Sequence, residues 1–204
     1  MKIKTKIQKG TKGIKKTSDY IDYTKALLKG RELLWTDKQM IIGFYIIFSI
    51  NTGLRVGDVL QIKHSDLLNL KQGDYLTIRE KKTGKTRKIQ INNKIADAYN
   101  YLSDKLKSKG MYQIDDFIFK SQKDTVFATV SINRILKNEF AGYAQNVSTH
   151  SLRKSFGRRV YDSNNKSEHA LILLSDMFCH ASVAITRRYL GLRQEEIDGV
   201  YMAL

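Results

Sequence analysis

Eleven consecutive residues, MIIGFYIIFSI at positions 40–50, carry neither a charge nor a proline. A helix that is apolar on every side must be buried on every side. At about 1.5 Å per residue, eleven residues reach roughly 16 Å, about half of a bilayer's hydrocarbon core. The segment therefore reads as the central helix of a folded domain, around which the rest of the chain has to pack. Its expected start is WTDKQ, with Thr36 as N-cap and Gln39 as capping-box partner, and its expected end is NTG at 51–53.

The flanking patterns supply the packing partners. DYIDYTKALLKG predicts a short helix, and LRVGDVLQI a second one with Leu54, Val56, Val59, Leu60 and Ile62 on its buried face. YLTIR and RKIQI alternate around a Gly-containing turn and predict a β-hairpin, its turn crowded with Lys81, Lys82, Lys85, Arg87 and Lys88. Positions 92–109 read as a helix ending at Gly110, DFIFK as a short strand, and TVSINRILKNEFAG as a helix closed by Gly142. THSLRKSFGRRV, SEHALILLSDMF, ITRRYLGL and the tail RQEEIDGVYMAL complete a helical C-terminal half. The expected class is mostly α with a small antiparallel β-sheet (α+β), without internal repeats. The 204 residues suit one domain plus an appendage: a basic arm and short helix over 1–30, and the main domain over 31–204.

Charge points to the partner. Thirty-six Lys and Arg against twenty Asp and Glu leave +16, and a polyanion of that appetite is most commonly a nucleic acid. The single cysteine, Cys179, excludes an intramolecular disulfide and reads as a small buried hydrophobe in a reducing compartment. The basic N-terminus lacks the apolar core of a signal peptide, so a soluble, cytoplasmic protein is expected.

Several catalytic motifs fail on inspection. GKT at 84–86 is not a P-loop, because Arg79 stands where the first glycine is required and a strand pattern follows. No HExxH or CxxC supports zinc, adjacent Cys179 and His180 diverge on a helix, and the carboxylates do not cluster as a metal nuclease requires. Metal-free phosphodiester chemistry needs paired arginines for the non-bridging oxygens, a proton donor for the leaving oxygen and a nucleophile. Arg55, Lys82, His150, Arg153, His180 and Tyr189 supply that set, and His150 and Arg153, three apart, share one helical face. Each also has an ordinary structural reading. Arg55 can pair with Asp58, Lys82 can be a solvated turn residue, His150 a cap, and His180 and Tyr189 core side chains.

In order and context, however, NTGLRVGDVL, REKKTGKTRKIQI, THSLRKSF and CHASVAITRRYL resemble the four boxes of the tyrosine recombinases, or phage integrase family, over about residues 31–204. The resemblance implies that family's catalytic-domain fold, double-stranded DNA as partner, and cutting and rejoining through a 3′-phosphotyrosine intermediate without metal or cofactor. Arg55 and Arg153 would bind the phosphate, Lys82 would protonate the 5′-oxygen, His150 would be the acid/base near the nucleophile, His180 a hydrogen-bond donor and Tyr189 the nucleophile, its anion favoured by neighbouring cations. It further implies a dimer or tetramer on DNA, accessory DNA-bending proteins, no membrane association, and a nucleoid location in a bacterium or phage host. Cys179 stands where the family usually has glycine, and the separate N-terminal DNA-clamping domain is expected to be missing, as in a short member or a catalytic fragment. Alternatives are a type IB topoisomerase and a non-catalytic DNA-binding regulator. Tyr161 is the main rival nucleophile.

Overall fold

The computed structural model describes residues 17–204; residues 1–16 of the expected basic arm lie outside the described residues. Helix α1 (Tyr23–Leu34) starts where the Asp22 carboxylate accepts from the Lys25 amide, and it lays Ala26, Leu27, Leu33 and Leu34 against α2 (Met40–Thr52). The capping box expected at Thr36 does not form. The Thr36 hydroxyl instead donates to the Glu32 carbonyl at 3.1 Å, finishing α1, and the Gln39 amide reaches across to Glu139. With only residues 35–39 between the helices, Thr36 is still within reach of the last turn of α1.

Helix α2 is the centre of the molecule, as its composition requires. Phe44, Tyr45, Ile46, Ile47, Phe48 and Ile50 are all at most 1% exposed, and Phe44, Tyr45 and Phe48 gather around the ring of Phe119. The approach of α1 is set by Gly43. A Cβ there would lie 2.1 Å from the Leu34 amide nitrogen and 2.6 Å from the Gly30 carbonyl oxygen, so only glycine lets the two backbones meet. At its far end α2 stops at Gly53, which has φ of +60° and lies under the Phe156 ring.

The second predicted helix is shorter than its pattern suggested. Only the single turn α3 (Val56–Val59) forms within residues 54–62; Lys63 then bridges Phe117, and a separate turn, α4 (His64–Leu67), follows. The hairpin forms as expected: β1 (Tyr75–Arg79) pairs antiparallel with β2 (Thr86–Gln90), Leu76 opposite Ile89, the two side chains turned into the core. DFIFK makes only isolated bridges, not a strand. Helices α5 (Asn93–Ser108) and α6 (Thr129–Glu139) close the larger core. Helices α7 (Thr149–Ser163), α8 (Glu168–Phe178), α9 (Val183–Leu190) and α10 (Leu192–Met202) follow, with Phe156, Tyr161, Leu171, Leu174, Phe178 and Leu190 forming a smaller core. Among the described residues no single helix is long and apolar enough to cross a membrane.

Gly43→Ala tests the helix crossing. The added methyl has backbone, not side chain, in its way, so the variant should lose about 3 kcal/mol. That corresponds to a melting temperature lower by roughly 6–12 °C in calorimetry.

Candidate active site

The site forms where the ends of α2, the hairpin, α7 and α8 meet. Arg55 leaves the extended residue before α3 and does not pair with Asp58. Its Nη1 donates to Glu80 Oε2 at 2.8 Å and its Nη2 to the Phe178 carbonyl at 2.9 Å. Asp58 instead accepts from the Lys81 amide and so ties α3 to the hairpin turn. Arg153, one turn into α7 and 3% exposed, donates through Nη1 to the Gly53 carbonyl and through Nη2 to the same Phe178 carbonyl at 3.1 Å, with its guanidinium 4.1 Å from the Phe178 ring centre. Two guanidiniums from elements nearly a hundred residues apart therefore share one acceptor. Burial lowers Arg153 to about 10, which leaves it charged at neutral pH.

Tyr189, near the end of α9, is held in a nest of rings. Its centroid is 5.3 Å from His180, 5.6 Å from Phe178 and 6.3 Å from His150, and the Lys154 Nζ lies over its face. Its hydroxyl is 3.5 Å from His150 Nδ1. The neighbouring cations favour the tyrosinate, as expected, but they do not prevail. Burial pushes the phenol up to about 12, and Arg153 and Arg55 only partly oppose it. His150 stands at the exposed rim in the first turn of α7. Desolvation of its ring, followed by Arg153, Lys154, Arg55 and Lys82, holds its imidazole below the ordinary value, so it is neutral at pH 7. His180 is lowered further, to about 4, by burial first and then by Arg153, Arg55 and Lys82. Its Nδ1 faces the Thr186 hydroxyl at 2.9 Å.

The fold thus brings Arg55, His150, Arg153, His180 and Tyr189 together. Lys82 occupies the exposed turn beside them, close enough for its charge to act on both imidazoles. Tyr161 does not join them; its ring is buried in the smaller core. Cys179 is only half-buried. It sits in the left-handed region, φ 51°, as the C-cap of α8, and lines an open cavity of about 830 Å³ with Glu80, Arg87 and His180.

Three participants were not singled out from the sequence. Arg87 donates to the Thr52 carbonyl at 2.9 Å, Glu80 is 1% exposed between Arg55 and Arg87, and Thr186 orients His180. Burial alone would raise the Glu80 carboxyl, but the Thr83 hydroxyl, Arg55 and Arg87 together outweigh it and hold the group below the usual carboxylate value. Alternating polarity in the hairpin put Arg87 on the inward face with Ile89, and that was the available signal.

The sequence profile of the phage integrase family matches residues 28–196. The chain belongs to the phage integrase family. Another member-like sequence, the probable integrase/recombinase YoeC of Bacillus subtilis (strain 168), is 30% identical over 161 residues, which cover 78% of this chain and 81% of that protein. Among solved structures, XerA recombinase superposes with a TM-score of 0.63 at 23% identity, covering 92% of this chain and 65% of that one. XerH site-specific recombinase, in a post-cleavage complex with palindromic difH substrate, gives 0.67 at 23% identity, covering 92% and 54%. A lambda integrase dimer bound to a core site gives 0.58 at 18% identity, covering 87% and 61%. This integrase-family chain therefore has the catalytic-domain fold expected of it, and spans 54–65% of the length of those three structures.

Acid should weaken the folded state through its buried histidines. Unfolded histidines take up protons near pH 6.5, whereas His64, also buried, and His180 do so only at about 4. Between those values the unfolded chain binds more protons, so stability is greatest above pH 6.5 and falls as the pH drops towards 4. Each histidine should steepen the fall by up to about 1.4 kcal/mol per pH unit. Urea midpoints measured from pH 7 to 4.5 check this, and His180→Asn should flatten the slope.

Proposed function

We propose that this chain is a site-specific DNA recombinase of the tyrosine type, with residues 31–204 as its catalytic unit and double-stranded DNA as its substrate. The observation that carries the reading is the placement of the Tyr189 hydroxyl beside a neutral imidazole, next to two guanidiniums aimed at one acceptor position.

The reaction follows from those groups. The scissile phosphate takes the place of the Phe178 carbonyl at Arg55 and Arg153, whose donors then hold its non-bridging oxygens. Because the Tyr189 phenol is protonated at rest, attack needs a base at the moment of bond formation. His150, neutral at pH 7, accepts the proton at Nδ1 when its own proton is on Nε2. The Tyr189 Oη–P bond forms, the P–O5′ bond breaks, and Lys82 gives the departing 5′-oxygen its proton, leaving a 3′-phosphotyrosine and a 5′-hydroxyl. With Thr186 donating to Nδ1, His180 keeps a proton on Nε2 for a phosphate oxygen. Attack by another 5′-hydroxyl reverses the step on a new strand, so the phosphotyrosine conserves the bond and two or four copies on paired sites exchange strands. Accessory DNA-bending proteins fit that assembly by bringing the sites together.

The direct test uses nicked duplexes tiled across the DNA flanking the gene, with denaturation-resistant adducts recovered and sequenced. Tyr189→Phe should fold and bind DNA as the parent does while adduct falls below detection; an adduct retained by that variant assigns the nucleophile elsewhere. Binding itself should weaken steeply with salt, log affinity falling by about 0.9 per unit of log salt for every phosphate neutralised. A flat response in a filter-binding titration contradicts a role for the +16 charge in DNA binding.

A further inference from the structure

Between the last residue of β1 and the first of β2 the chain makes a turn that is pinned on both sides of Lys82. The Glu80 amide donates to the Lys85 carbonyl at 2.9 Å, and the Gly84 amide to the Glu80 carbonyl at 2.8 Å. The Lys81 amide is held by Asp58 at 2.8 Å, and the Thr83 hydroxyl donates to Glu80 Oε2 at 2.8 Å. That same Oε2 accepts from Arg55 Nη1 at 2.8 Å. One oxygen atom therefore connects the turn that carries Lys82 to an arginine that faces the phosphate position. Its twin, Oε1, looks towards Arg87 Nη1 at 3.6 Å, and neither atom has a hydrogen-bond partner among the described residues.

A carboxylate this deeply buried is costly to hold, and an apolar side chain would serve packing better. Its hydrogen bonds run to two parts of the site that act at opposite sides of the same P–O bond. Arg55 stabilises charge on the phosphate; Lys82 protonates the oxygen that leaves.

We infer that Glu80 is a positioning residue that couples the two, locking the Lys82 turn and the Arg55 guanidinium into one unit through a single carboxylate oxygen. The inference rests on the reaction proposed above. Glu80 touches neither nucleophile nor phosphate. It acts by keeping Lys82 over the 5′-oxygen when Arg55 engages the non-bridging oxygens, so that proton donation and charge stabilisation coincide.

The test is single-turnover cleavage of a duplex recovered as an adduct, made with either the natural 5′-oxygen or a 5′-sulfur at the scissile bond. A thiolate leaves without help from an acid, because a thiol ionises near pH 8.5. On the oxygen substrate Glu80→Gln and Thr83→Val should each slow cleavage by about 10- to 100-fold, part of the 10²–10⁴ that a positioned proton donor supplies. On the sulfur substrate Thr83→Val should return to within about threefold of the parent, as Lys82→Ala should when acid catalysis is the function of Lys82. Glu80→Gln should recover only in part because it also loosens Arg55, and Arg55→Ala should not recover. Glu80→Gln and Thr83→Val both cutting the oxygen substrate at the parental rate would overturn the inference. So would a Thr83→Val loss that is equal on oxygen and sulfur. Should Glu80→Gln fail to fold, Thr83→Val, which leaves the buried ion pair in place, carries the test alone. A parent protein that forms no adduct removes the reaction itself, an outcome distinct from a parent that cuts while the Glu80 and Thr83 variants cut equally well.

Discussion

Because α2 is enclosed on all sides, its last turn has nowhere to move, and the arrangement of charge in this protein is built against that turn. The Thr52 carbonyl holds Arg87, the Gly53 carbonyl holds Arg153, and Arg55 follows two residues later. A guanidinium stays charged when buried, so its donors must find acceptors in the protein. The free carbonyls at a helix C-terminus are such acceptors, and they lie at the negative end of the helix. An apolar core helix thus fixes the coordinates of three cations although it contributes no side chain to the chemistry.

What was legible in the sequence was local. The period of two around TG produced the hairpin, the apolar face of 92–109 and the helical reading of 149–160 produced α5 and α7, and the uniform apolarity of residues 40–50 placed α2 at the centre. Five of the six proposed site residues meet because their boxes fall at the ends of those elements. What was not legible depended on partners far along the chain. Whether Arg55 pairs with Asp58 or with Glu80 is decided by how the hairpin folds back, 25 residues away. Thr36 had two helices within reach, and spacing alone favoured the wrong one. Cys179 was expected inside the core, but its place as a left-handed cap leaves it lining a cavity.

The ionisation of Tyr189 is the clearest case of magnitude deciding direction. Composition places many cations near it, and cations favour a phenolate. The ring is packed against Phe178 and two imidazoles, however, and removing it from water disfavours the anion by more than Arg153 and Arg55 return. The same crowding keeps both histidines neutral. A site that looks strongly basic in sequence therefore rests with its phenol protonated and its imidazoles uncharged, the cationic character being confined to arginine and lysine.

The carbonyl of Phe178 gives this resting state a further meaning. Arg55 and Arg153 are stripped of much of their water when the chain folds, and the carbonyl occupies one donor of each in the structure without DNA. Under the proposed reaction, a phosphate that enters would exchange a neutral acceptor for a charged one and would not have to dehydrate the arginines itself. On that reading, a ligand too weakly charged to displace a peptide carbonyl would leave the pair as it found it, and the end of α8 would set a threshold on what the two arginines accept.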